Sequence, residues 1–260
     1  MGRILAFVYG VAAYVVFLGT FVYAIGFVGN IVVPKSIDFG AEGSFGQALL
    51  MNTVLLGLFA IQHSVMARHG FKKWWTSIVP RPVERSTYVL ISSLLLLFLF
   101  WQWRPMGGIV WDVHDPTGCL ILQVLFGVGW LMVLVSSCMI NHFDLFGLRQ
   151  VYLYLRGYEY TALTFTTPGP YKLVRHPLYV GWFFAFWATP MMTAAHLVFA
   201  VLTTAYILIA IQLEERDLLA AHGQAYAEYT RHVPMLVPRF FAKKRMALKA
   251  PQEAMPKTSA

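Results

Sequence analysis

The stretch from Pro177 to Leu213 contains no Asp, Glu, Lys or Arg, yet it opens on Arg175-His176-Pro177 and closes on Glu214-Glu215. A charge-free run of this length is long enough to enter and leave a bilayer, whose hydrocarbon core takes about 20 apolar residues per crossing. Pro190, with His196 close behind it, supplies a break, so the run is predicted to form a helical hairpin. Both charged ends then return to one membrane face. Four further charge-free segments, residues 4–29, 47–67, 86–103 and 116–140, precede the hairpin, and each is long enough to cross.

Composition agrees with this patterning. The chain is 58% hydrophobic and 12% charged, with mean hydropathy +0.60, which excludes an ordinary soluble domain. The predicted fold class is all-α, a polytopic membrane helix bundle with five to six apolar crossings counting the hairpin. A Rossmann domain is not expected, because no Gly-x-Gly-x-x-Gly stands between a strand and a helix. The first apolar segment outruns the h-region of a signal peptide and is read as retained. One membrane domain is expected over residues 1–248, and residues 249–260, rich in Ala, Pro, Lys and Ser, are expected to be disordered.

Lys and Arg set the orientation, since positive loops stay cytoplasmic. Arg68, Lys72, Lys73, Arg81 and Arg85 follow the second segment, and Arg149, Arg156, Lys172 and Arg175 follow the fourth. Lys35 and Arg104 fall on the opposite side, beside Asp38, Glu42, Asp112 and Asp115. Both termini and residues 141–176 are therefore predicted cytoplasmic. The net charge of +8 does not imply nucleic acid, because the basic residues flank apolar spans and match anionic lipid headgroups. No protein partner is evident. Cys119 and Cys138 lie too far apart along one helix to form a disulfide.

Three groups of residues could carry chemistry. Arg175-His176-Pro177 reads equally as a helix entry, with proline in the first turn and a snorkelling base. Glu214-Glu215 reads as a solvated helix end or as a carboxylate pair facing a cation or hydrogen-bond donors. His142, Asp144 and Arg149, just after the fourth segment, read as a surface ion pair or as a lid over a pocket. His63, in Gln62-His63-Ser64, reads more readily as an interhelical hydrogen bond than as a catalyst. No spacing supports a metal site.

In order, the chain carries Gly169 and Tyr171, Arg175-His176-Pro177-Leu178-Tyr179-Val180-Gly181, an apolar hairpin, Glu214-Glu215 with Leu218, Gly223 with Tyr226 and Tyr229, and Val233-Pro234. This order resembles the integral membrane methyltransferases that include isoprenylcysteine carboxyl methyltransferase and the bacterial phospholipid N-methyltransferases. The resemblance implies a site for S-adenosylmethionine over about residues 141–238, lined by Tyr171, Arg175, His176, Pro177, Leu178, Tyr179, Glu214 and Glu215, with residues 163–166 as an upstream strip. Such a cofactor is a sulfonium cation with an amino acid head and a flat adenine, and these residues supply carboxylates, donors and aromatic faces. A narrower resemblance, on residues 140–151, is to the bacterial methanethiol S-methyltransferases. It implies methylation of a small thiol, methanethiol to dimethyl sulfide, with Glu214, Asp144, His142 and Arg149 as catalytic candidates. Methylation of a carboxyl or amine on a lipid or isoprenylated acceptor, and a non-catalytic transport or assembly role, stay open.

Overall fold

A computed structural model describes residues 2–40 and 43–239; the expected tail at 249–260 lies outside the described residues. The chain is an all-α membrane protein. Among the described residues five helices are long and apolar enough to cross: α1 (Arg3–Gly29), α2 (Phe45–Ala67), α4 (Arg81–Gln102), α5 (Pro116–Ile140) and α9 (Ala194–His222). The short α3 (His69–Trp75), α6 (His142–Leu145), α7 (Leu148–Arg156) and α10 (Gln224–His232) gather at the end where the basic residues are concentrated. The amphipathic α7 lies across the start of α1 and of α4, burying Val151 beside Ala6 and Val83. Gly147, which joins α6 to α7 at φ +89°, sits against Ser86, where a Cβ would come within 2.6 Å of the hydroxyl. Only glycine meets both demands.

The hairpin departs from two plain helices. α8 (Pro177–Trp187) has 11 residues, about 16 Å at 1.5 Å per residue, which is half of a bilayer core. The rest of the crossing is extended, and its end, β2 (Met191–Thr193), pairs antiparallel with β1 (Ile109–Asp112) in the loop between α4 and α5. The cause is local: Pro190 has no N–H for a helix, and the residue before a proline is driven out of helical backbone. Neither strand is visible in the periodicity of the sequence, because each is only a turn's length long.

Backbone left bare by this break must find partners, since lipid offers none. His196 Nε2 donates to Phe186 O at 2.9 Å, Trp111 Nε1 to Thr189 O at 3.0 Å, and Val113 N to Pro190 O at 3.0 Å. Thr193 accepts from His196 N at the start of α9 and is itself held by Asp38. Gln62, His63 and Ser64 each bond to a neighbouring helix: Gln62 Oε1 accepts from Ser92 at 3.2 Å, His63 meets the Tyr88 hydroxyl at 2.9 Å, and Ser64 meets Tyr206 at 3.2 Å. This agrees with the structural reading of His63.

The backbones of α5 and α8 come into direct contact at two glycines. A Cβ on Gly129 would fall 2.5 Å from Ala185 N, and one on Gly181 would fall 2.8 Å from Gly129 O. Small residues at such a crossing let backbones touch, the main source of attraction between helices in lipid. Gly181→Val should therefore force the pair apart at about 1–3 kcal/mol. A melting temperature lowered by on the order of 5–10 °C in detergent is expected, with no change for Gly57→Ala, where nothing lies within 4 Å.

Candidate active site

Entry into α8 is tied to the chain beyond α10. Arg175 N donates to Pro234 O at 2.9 Å and His176 N to Met235 O at 3.2 Å. The Arg175 guanidinium spans both elements, with Nη1 donating to Val233 O at 2.8 Å and to Thr230 O at 3.3 Å, the terminal carbonyls that a helix leaves bare. Its Nε donates to Glu215 Oε1 at 2.7 Å, the same oxygen that His176 Nε2 approaches at 3.0 Å. Arg175 and Glu215 keep 13% and 21% of their side-chain exposure, so this is a largely dry, charge-assisted link.

Glu214 is placed differently. One residue earlier on α9, its side chain projects about 100° away from that of Glu215. Its Oε2 accepts the Tyr179 hydroxyl at 2.8 Å and stands 3.9 Å from His176 Nδ1, with 44% of the side chain exposed. Of the two carboxylates, Glu215 is committed to the fold and Glu214 is open to a ligand. Pro177 is buried in the first turn of α8, and Leu178 beside it is half-buried.

Aromatic side chains close the site. The Tyr171 hydroxyl donates to Ser136 O at 3.4 Å, and its own carbonyl accepts from Tyr229 at 2.6 Å. Phe165 lies against His222, Tyr226 and Tyr229, with ring centroids 5.1, 5.8 and 5.5 Å away. The Tyr226 hydroxyl is buried with no hydrogen-bond partner among the described residues. Burial, reinforced by Glu215, raises the pKa of Tyr226, and burial pushes Tyr229 up to about 12, so both phenols are neutral donors at neutral pH. Sequence reasoning placed Tyr226 in a motif without a role; its orphan hydroxyl is visible only in three dimensions.

A concavity of about 590 Å³ lies between α1, the end of α5 and the strip at 163–166, lined by Tyr14, Leu134, Cys138, His142, Leu163 and Thr166 among others. His142 Nε2 is 2.8 Å from the Tyr14 hydroxyl, and Nδ1 is 3.0 Å from Ser137 Oγ. Burial holds the His142 imidazole below its ordinary pKa. Asp144 and Arg149, grouped with His142 by sequence, are not among the lining residues. Arg149 pairs with Asp144 at 2.9 Å and donates to Thr161 O at 2.9 Å, while Tyr160 donates to Asp144 Oδ2 at 3.3 Å. Together they fasten the loop that continues into the strip. Tyr14, in the middle of an apolar helix, carried no signal in the sequence.

The chain is 59% identical to a methanethiol S-methyltransferase of Crocosphaera subtropica, over 94% of this chain and 95% of the relative. It is 58% identical to that of Mycobacterium tuberculosis, over 92% and 98%, and 54% identical to methanethiol S-methyltransferase 2 of Bradyrhizobium diazoefficiens, over 94% and 93%. It belongs to the methanethiol S-methyltransferase family. It is thus a membrane methyltransferase. The phospholipid methyltransferase family also matches, over residues 122–225, which takes in most of α5, all of α6 to α9 and both carboxylates but leaves out Tyr14, Tyr226 and the turn at Val233. No solved structure matches the chain.

For this methyltransferase, Arg175→Ala leaves Glu215 without its cation and bares two carbonyls. A loss of about 3–5 kcal/mol is expected, as for breaking other buried pairs, read as a lower denaturation midpoint in detergent. Arg175→Lys should recover only part of it, because a point charge cannot reach Glu215 and Val233 together.

Proposed function

We propose that this protein transfers a methyl group from S-adenosylmethionine to a small thiol, foremost methanethiol, giving dimethyl sulfide at the cytoplasmic face of a bacterial inner membrane. The observation that carries the reading is the open carboxylate of Glu214 held beside the Arg175–Glu215–His176 link. The names of the relatives support the acceptor class. The excess of Lys and Arg at this end supports its cytoplasmic side.

The residues fit the cofactor. Glu214 faces open space as a cation would require, the Tyr226 hydroxyl has no partner, and the ring of Phe165 offers an aromatic face. Residues 141–238, within a single domain over residues 1–248, would form this part: Tyr171, Arg175, His176, Pro177, Leu178, Tyr179, Glu214 and Glu215 from the sequence motif, with Tyr226 and Phe165 added. Arg175 and Glu215 act by fixing the entry of α8, His176 and Tyr179 by orienting Glu214. S-adenosylmethionine, when bound, supplies a methyl group on a sulfonium and leaves as a neutral thioether.

The protein's own contribution is alignment and exclusion of water, the principal demands of displacement at a methyl carbon. Asp144 and Arg149 contribute by holding the loop at 160–161 in place over the site. The product is uncharged and leaves through the lipid. Membranes given S-adenosylmethionine and methanethiol should release dimethyl sulfide into the headspace, with boiled membranes as control. Glu214→Gln, which keeps shape and loses charge, should lower turnover on the order of 10²-fold, the scale of one misplaced electrostatic group, with the fold intact. Unchanged turnover would remove Glu214 from the site. An inactive wild type that still binds the cofactor would direct the search to lipid carboxyl or amine acceptors.

A further inference from the structure

The concavity lined by Tyr14 and His142 shares no lining residue with the side chains named above as donor contacts, yet it borders that site along the strip at 163–166. Leu163, Thr164 and Thr166 line it, while Phe165 between them turns to Tyr226 and Tyr229. Tyr171, from the donor side, reaches Ser136 O, next to Ser137 in α5. The two sites therefore meet along this strip and the end of α5. The outer wall is apolar, with Leu134, Met139, Ile140 and Phe143 exposed on the surface at and just beyond the end of the membrane-crossing α5. An uncharged alkanethiol dissolved in the bilayer meets this opening without crossing a polar surface, whereas a charged or zwitterionic acceptor does not.

The polar groups inside form one chain. Ser137 Oγ donates its hydrogen to Leu134 O at 2.8 Å, so it accepts from His142 Nδ1–H at 3.0 Å. That fixes the tautomer: Nε2 carries the lone pair and accepts the Tyr14 hydroxyl at 2.8 Å. Both imidazole nitrogens are occupied, so a thiol in the concavity meets the phenol oxygen of Tyr14, not the ring of His142. This oxygen has given its hydrogen away, and its lone pairs have no other partner among the described residues.

We infer that this concavity is the acceptor site, taking a small uncharged thiol from the membrane, and that Tyr14 is a catalytic residue relaying the thiol proton to His142. This rests on the thiol-methylation reading. The S–H bond breaks and its electron pair stays on sulfur. The proton goes to Tyr14 Oη as the phenol's own proton passes to His142 Nε2, leaving a thiolate, a neutral tyrosine and an imidazolium, held by Ser137, that later discharges to water. The thiolate is the nucleophilic form of a thiol, and a base that must be unprotonated works over a wider acid range when its pKa is lowered, as burial lowers that of His142. The titratable groups facing the relay are Tyr14 from α1 and Cys138 from α5; the strip at 163–166 contributes none.

The test is Tyr14→Phe, which keeps the ring and removes the oxygen, compared with wild type in detergent. For methanethiol, kcat/KM should fall on the order of 10²-fold, the scale of general-base catalysis. For 2,2,2-trifluoroethanethiol, whose proton is more acidic, the fall should be much smaller. Affinity for S-adenosylmethionine by calorimetry should not change, and Cys138→Trp, which fills the concavity, should raise the thiol KM with the same affinity retained. In unliganded protein labelled with ¹⁵N-histidine, the His142 Nε2 resonance, assigned by its loss in His142→Asn, should move in Tyr14→Phe. An unmoved resonance, equal losses on both thiols or full activity of Tyr14→Phe overturns the relay. A wild type inactive on every thiol overturns the thiol reading instead, and the resonance still decides whether Tyr14 and His142 are coupled.

Discussion

Hydrocarbon leaves a bare peptide group nothing to bond with, and this constraint organises the molecule because one of its crossings is not a continuous helix. Half of that crossing, from Ala188 to Thr193, is extended chain, held by the Trp111 indole and the backbone of Val113, while His196 meets the bare carbonyl of Phe186 at the end of α8. The break also decides where the site is. Since α8 ends at Trp187, whose indole donates to Thr204 midway along α9 at 2.9 Å, its first turn is level with Glu214 and Glu215. A longer helical arm at the same tilt would carry His176 and Tyr179 past them.

Two adjacent carboxylates near a membrane are costly unless their charge is met. Here the two solutions are separated by one residue step on α9. Glu215 is neutralised by Arg175, which also closes the end of α10, so a charge pair and a helix terminus are satisfied by one guanidinium. Glu214 is given only a phenol and an approaching imidazole, and keeps its exposure. The difference between a framework residue and an available one therefore comes from geometry around the helix axis, since their chemistry is identical.

The sequence made the crossings legible because lipid demands long charge-free runs, and the four predicted segments match α1, α2, α4 and α5 closely. The meeting of Arg175-His176 with Glu214-Glu215 was legible for the same reason: a hairpin that returns to one face must bring its ends together. The β1–β2 ribbon was not, because strands of three or four residues have no periodicity to read and are fixed by what Pro190 forbids. The separation of His142 from Asp144 and Arg149 was hidden as well. It depends on α6 being a single turn that faces the bundle while the next residues face the loop, and proximity in sequence suggested the opposite. Tyr14 and Tyr226 stand out only through their surroundings, an imidazole at the hydroxyl of one and no partner at the buried hydroxyl of the other.

The strip at 163–166 belongs to no helix or strand, and it borders both the concavity at Tyr14 and the aromatic cluster of Tyr226 and Tyr229. Its residues alternate, Phe165 to one side and its neighbours to the other, so a shift of this backbone by a ligand on one face is at once a shift of the opposite face. Linkage makes such an effect symmetric in free energy. Whatever occupancy on the Phe165 side does to affinity on the Leu163 side, occupancy there returns by the same factor. For any two ligands seated on its faces the strip would carry a coupling that shows in affinities, while the rates of the two orders of binding stay free to differ.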